Sequence, residues 1–243
     1  MAEEPLDQES ADNNLFEFGL EPLPSPPTTS SVLALVSEII DSVPDTWKLS
    51  KSSPNYSTAV YHKVLGTEPW YVRRSVHSHP FEWFKRALYH DHFENVVKYY
   101  DVVKSASLKE EREAWKGYTL KYKLPSPFAD RDIAEWLLTH IPDDNDDEFI
   151  IVAVPADIPL PEDAITRGVY SFFHRVRKTE NNDVEWIIGQ TSDMKGNLPR
   201  WAQNLSIAGI LVNDVQSFVD WMDENYASQK GPEDDDDDFQ DAE

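Results

Sequence analysis

Cysteine is absent from the 243 residues, which rules out disulfides, zinc–thiolate sites and thiol nucleophiles. Glycine is scarce, at eight residues, and none falls in a phosphate-cradling loop. No G-x-S-x-G, Walker loop, dinucleotide fingerprint or H-E-x-x-H occurs, so enzyme classes built on those motifs are disfavoured and no cofactor is expected. No apolar run approaches the ~20 residues of a membrane span. The N-terminus, MAEEPLDQES, has neither an apolar signal core nor presequence arginines, so a cytoplasmic location is expected.

Positive charge is also short. Twenty-two Lys and Arg face 45 Asp and Glu, for a net charge of −23. Residues 1–30 hold seven acids and no base. Residues 229–243 hold eight acids and one Lys, so the residues between carry −9 of the total. A chain this acidic lacks the basic footprint that nucleic acid requires. Bulk charge also limits contact with anionic membranes to transient encounters.

Apolar residues make up 40% of the chain, with eight Trp, ten Tyr and eleven Phe, enough for a sizeable core. Three regions follow from composition. Residues 1–30 read as a disordered acidic and Pro-rich tail, with "EPLPSPPTTS" at its end. Residues 31–227 read as one folded domain, and 228–243, with "GPEDDDDDFQDAE", as a second disordered acidic tail. One apolar island, "LFEFGL" (Leu15 to Leu20), interrupts the first tail. It is either a linear docking motif or a segment that folds back onto the domain. The tails are where a protein partner would bind.

Within the domain, Val32, Leu35, Val36, Ile39 and Ile40 recur at helical spacing, with Ser30 or Ser31 as cap and Pro44 as stop. Three strands follow: "TWKLS", "STAVYHKVL" and "PWYVRRSVHS". Pro80 at N1 then opens a helical run, as one helix or as two broken near His90–His92. Strands are expected at 114–124, 131–140, 148–155, 165–179 and 183–194, the last two joined as a hairpin by "ENND". From "LPRW" onward the chain reads as helix, with Gly209 kinking or dividing it. Leu198, Trp201, Ala202, Leu205, Val212, Val215, Val219 and Met222 mark one face. The order is helix, three strands, one or two helices, five strands, long helix. Hairpin-linked strands make an antiparallel sheet, and segregated helices make the class α+β. A sheet of this size curls, and a long helix can close its concave side over a cavity.

Two stretches resemble a known family. "LPSPFADRDIAEWLL" and "TSDMKGNLPRWAQNL" are similar to the START lipid-transfer domain: a Ser/Pro loop leading to an Arg-Asp pair, and the junction from last strand to final helix. "WYVRRSVHS" and "DVQSFVDWM" place the likeness nearest a fungal START-like family of unknown function. The resemblance spans about residues 32–226. It implies a helix-grip fold, a curved antiparallel sheet around a C-terminal helix, enclosing a tunnel for a sterol, phospholipid, fatty acid or similar molecule. The acidic "DDNDDE" connection departs from the family's pattern.

Site residues follow from strand faces. Either Arg73 or Arg74 is shielded, depending on which face of "WYVRRSVHS" is inward; a shielded Arg requires a carboxylate partner or an anionic ligand head. Tyr170, Phe172 and His174 share one face of their strand, as do Trp186, Ile188, Gln190 and Ser192 of theirs, and Tyr118 and Tyr122 of a third. Trp201, Leu205 and Val212 of the last helix complete the expected ligand wall. A one-residue register error exchanges every strand list for its complement. No metal site is expected of His77, His79, His90 and His92, because their positions do not converge. The leading expectation is non-enzymatic binding of a lipid or other hydrophobic small molecule, for transfer or sensing, with no catalytic residue. The alternatives are a cyclase or hydrolase on the same fold, using His174 as general acid or base, and a protein-interaction module with a vestigial pocket.

Overall fold

A computed structural model describes residues 18–143, 145–161 and 166–227. Helix α1 (Thr29–Ser42) precedes strands β1 (Lys48–Ser53), β2 (Thr58–Leu65) and β3 (Glu68–His77). Helix α2 (Phe81–Phe84) runs into a π-helical turn, Lys85–Tyr89, and α3 follows at His92–Tyr99. Six strands come next: β4 (Val103–Arg112), β5 (Trp115–Tyr122), β6 (Arg131–His140), β7 (Glu148–Pro155), β8 (Val169–Lys178) and β9 (Val184–Asp193). Helix α4 (Arg200–Tyr226) ends the described chain.

All nine strands form one antiparallel sheet in the order β1-β2-β3-β9-β8-β7-β6-β5-β4. Among the described residues only the β3–β9 pairing joins strands far apart in sequence, and it brings the first meander beside the last hairpin. The sheet is curved and holds α4 on its inner side: the helix-grip fold. Helix α4 packs on β1, β2, β3 and α3. No helix among the described residues is long and apolar enough to cross a membrane.

Both faces of the sheet are covered. Phe149, Ile151 and Ala153 of β7 join the inner core with α2, α3 and α4, whereas Ile150, Val152 and Val154 join the outer core under α1. This explains why "EFIIVAVP" is apolar without alternation. Val32, Val36, Ile39 and Ile40 dock α1 on that outer face, and each stabilises by about 1.5–3 kcal/mol.

Several expectations are corrected. Strand β4 was not anticipated. It is an edge strand with mostly exposed residues, and two register shifts blur its alternation. Its Lys104, Lys109, Glu110 and Glu111 suit an edge that must not pair further. The domain does not begin at residue 31. Leu23 bridges Ala156 in parallel, and the Trp136 indole donates to the Leu23 carbonyl at 3.0 Å. Phe18 meets Trp70 edge-on at 5.3 Å, and the Ser171 hydroxyl donates to the Gly19 carbonyl at 2.5 Å. Half of the apolar island therefore lies on the outer core; Leu15 to Glu17, the rest of the first tail and the acidic tail from 228 lie outside the described residues. Helix α1 is capped at Thr28 without a side-chain bond, not at Ser30 or Ser31, and Pro80 is the N-cap of α2 rather than N1. Asp91, in the left-handed region at φ 49°, separates the two central helices.

Helix α4 runs unbroken through Gly209, and its buried face is Gln203, Ile207, Leu211, Val215, Phe218, Met222 and Tyr226. Trp201 and Leu205, expected on that face, are 69% and 78% exposed. Gln203 sets the rotation. Its Oε1 accepts from the Met194 N–H at 2.9 Å, and its Nε2 donates to the Leu198 carbonyl at 2.9 Å. Residues two positions away point about 200° round the helix, towards solvent.

Candidate functional site

Strand β3 sends Tyr71, Arg73, Ser75 and His77 to the inner side, while Trp70 and Val72 face α1. Pairing continues the inner rows across the sheet. Arg73 stands opposite Ile188 of β9, which stands opposite His174 of β8. Tyr71 stands opposite Gln190, which stands opposite Phe172. Apart from Tyr71, these residues form one wall of a cavity of about 100 Å³. Tyr122 of β5 and Tyr170 extend that wall. Helix α3 and its end add His92, Phe93, Val96, Tyr99 and Tyr100, and α4 adds Leu211, Asp214, Ser217 and Phe218.

Arg73 is the shielded arginine, with no exposed surface. Its guanidinium lies 3.9 Å over the Trp186 ring. None of its three nitrogens has a hydrogen-bond partner among the described residues. Burial draws its pKa down to about 9, against the fields of Asp214, Tyr99 and Tyr170, and it remains a cation at neutral pH. Burial pushes the Asp214 carboxyl up to about 6, against the pull of Arg73 and a hydrogen bond from the Tyr100 hydroxyl.

The other polar groups in this interior are kept neutral. His92 Nδ1 donates to the Leu88 carbonyl at 2.8 Å, and burial draws the ring down to about 4. His174, its ring centroid 5.5 Å from that of His92, is held well below the usual imidazole range by burial and then by His92 and Arg73. Tyr170 donates to Gln190 Oε1 at 2.7 Å, and burial raises the Tyr122 and Tyr170 phenols. On β6, Glu135 is fully buried, both its oxygens lack partners among the described residues, and burial pushes it well above the carboxylate range.

Of the residues anticipated from sequence, Arg73, Tyr122, Tyr170, Phe172, His174, Trp186, Ile188 and Gln190 meet at the cavity. The rest do not. Arg74 points to the outer side and pairs with Glu185, which Arg177 also holds at 2.6 Å. Tyr118 is buried, donates to Glu94 at 3.4 Å, and is pushed up to about 12 by burial and then by Glu94. Ser192 is buried beyond Gln190 near the end of β9, and Val212 packs half-buried against the inner core. Trp201 and Leu205 face away. Sequence reasoning passed over Asp214, although an acid between Leu211 and Phe218 in one helical stripe was a readable signal. The tyrosine pair Tyr99–Tyr100 carried no comparable mark.

The two motifs behind the family resemblance meet in space. Arg131 is buried and donates through Nη2 to the Lys195 carbonyl at 3.1 Å, and also to the carbonyls of Met194 and Ala129. It pins the turn before α4, where Gly196 adopts φ +62°. Asp193 pairs with Lys195 at 3.0 Å and lies 3.8 Å from Arg200. These groups are structural. Among the described residues no group of three His, Cys, Asp or Glu is arranged to hold a metal ion. His77 stacks on Tyr56 and His79 pairs with Asp223, both away from His92.

The fold is that of the START and StAR-related lipid transfer domains. The crystal structure of human STARD10 is 16% identical over 88% of this chain and 89% of its own, with a TM-score of 0.69. Human StAR-related lipid transfer protein 5 is 13% identical over 83% of this chain and 97% of its own, with a TM-score of 0.64. A StAR-related lipid transfer protein fragment from Xanthomonas axonopodis is 12% identical over 72% and 98%, with a TM-score of 0.60. The chain belongs to the family described as protein of unknown function (DUF3074), whose model matches residues 70–222. No curated protein sequence matches the chain significantly.

Proposed function

We propose that this chain binds a lipid or other hydrophobic small molecule between the inner face of the sheet and α4, in the cytoplasm, to carry or sense it without transforming it. The observation that supports this most is Arg73. A buried cation whose donors meet no partner among the described residues is costly unless a guest completes it. Around it stand Phe93, Phe172, Trp186, Ile188 and Phe218, an apolar wall with a few polar points, as small-molecule sites are built. The structural neighbours named for lipid transfer support the same reading. Catalysis is disfavoured because His174 is too deeply buried to take a proton at neutral pH.

The space of about 100 Å³ is well under the ~300–1,000 Å³ of ordinary ligand sites. A lipid enters only if α4 shifts or the Trp186 and Phe218 rings give way. This small volume also favours a second reading, a vestigial pocket in a protein-interaction module whose tails do the binding. Native mass spectrometry of protein purified from its own host, followed by organic extraction, separates the two. A stoichiometric small molecule is expected. A protein that is empty and takes up no fluorescent sterol, fatty acid or phospholipid sinks the ligand reading.

A further inference from the structure

Resting on that reading, the geometry points to the chemical class of the ligand: we propose an amphiphile with a single carboxylate head, seated on the edge of the Arg73 guanidinium beside Asp214.

Trp186 occupies one face of the guanidinium. A stacked guanidinium keeps its N–H edge free in its own plane, and that edge is the fork that matches a planar carboxylate through two parallel hydrogen bonds. No carboxylate among the described residues takes the fork: Asp214 acts on Arg73 only through its field and spends its hydrogen bond on Tyr100. A hydroxyl or ester head accepts too few of the donors to offset the burial of the cation. A dianionic phosphate puts excess negative charge against Asp214, and the cavity holds little more than a head of a few atoms.

Asp214 also makes the site respond to pH. The groups that act on it are Arg73 of β3, Tyr99 and Tyr100 at the end of α3, and Tyr170 of β8. The tyrosines are uncharged at neutral pH. His92 and His174, which share the cavity, are neutral too. Among the described residues that line the cavity, Asp214 is therefore the one that changes charge near pH 6. Ionised, it repels a carboxylate and competes for the field of Arg73. Protonated, it does neither, so affinity for a carboxylate falls as pH rises through about 6.

The test is calorimetric titration of the full chain with octanoate, octan-1-ol and methyl octanoate at about pH 5.5 and about pH 7.5. Octanoate is expected to bind about tenfold or more tightly than the two neutral probes at the lower pH, and more weakly at the higher. Arg73→Met, which replaces the cation by an apolar side chain, is expected to erase the preference for octanoate. Asp214→Asn, which does not depend on the fate of Arg73→Met, is expected to keep the preference and remove its pH dependence. Equal or tighter binding of octan-1-ol or the ester overturns the carboxylate head while interior binding stands. So does a preference that survives Arg73→Met. Uptake of none of the three overturns it as well, and the extraction experiment then decides the broader reading separately.

Discussion

Gly189 lies directly opposite Phe173 across the β8–β9 pair, and a Cβ added at Gly189 would sit 2.1 Å from the Phe173 ring. The missing side chain is the space in which the ring lies. From there Phe173 stacks on Trp70 at 6.2 Å and reaches Phe18 at 6.3 Å, joining the last hairpin, β3 and the N-terminal segment into one outer core. Gly189→Ala is expected to destabilise by about 1–3 kcal/mol through overpacking. Phe173→Leu in the same chain is expected to recover part of that loss in a double-mutant cycle by urea unfolding. Strict additivity of the two changes is the result that contradicts the packing argument.

The rotation of α4 gives a second, sharper contrast. Phe218 is 1% exposed and contacts Trp186 at 4.7 Å between ring centroids. Phe218→Ala is expected to cost about 3–5 kcal/mol, as for other buried aromatic truncations. Trp201→Ser, at an exposed position of the same helix, is expected to stay within about 0.5 kcal/mol of the parent. Thermal unfolding of both variants decides between this rotation and the one read from sequence. A large loss from Trp201→Ser contradicts the observed face.

That contrast shows where legibility ended. That Tyr170, Phe172 and His174 share one face of β8 was readable because a strand has a period of two, but which face is inward was not. The choice between Arg73 and Arg74 was not readable, because Trp70 and Val72 belong to a second core under α1 that composition does not announce. The α4 face failed for a different reason. Leu205, Ile207, Ala208, Ile210, Leu211 and Val212 fit several helical stripes equally well, and the tie is broken by the tertiary bonds of Gln203. Strand β4 was hidden because an edge strand with solvent on most of its residues need not alternate.

The N-terminal segment is expected to contribute to stability. Phe18 is 9% exposed and packs on Trp70 and Phe173. Phe18→Ala is expected to destabilise by roughly 2–4 kcal/mol, somewhat less than a central core residue because the segment can relax. Deletion of residues 1–22 is expected to lower the melting temperature at least as far. An unchanged melting temperature on deletion contradicts a docked segment.

The buried titratable groups act on stability in opposite directions, and single variants separate them. Asp214 has its usual value of 3.8 raised to about 6 in the folded chain. Its stabilising contribution is full below about 3.8 and is lost as pH rises through about 6. Asp214→Asn removes that loss, so the variant is expected to match the parent near pH 4 and exceed it by up to about 3 kcal/mol at neutral pH. His174 has the opposite sign. Its folded value lies well below 6.5, so its contribution is present above 6.5 and is lost as pH falls. His174→Phe keeps the ring contacts with Phe172, His92 and Trp186 and removes the proton site. The variant is therefore expected to gain on the parent by about 1.4 kcal/mol for each pH unit below about 6.5. Urea unfolding of parent and variant across that range measures the gain directly, and parallel curves mean that His174 is hydrated in the folded chain rather than sealed in the cavity wall.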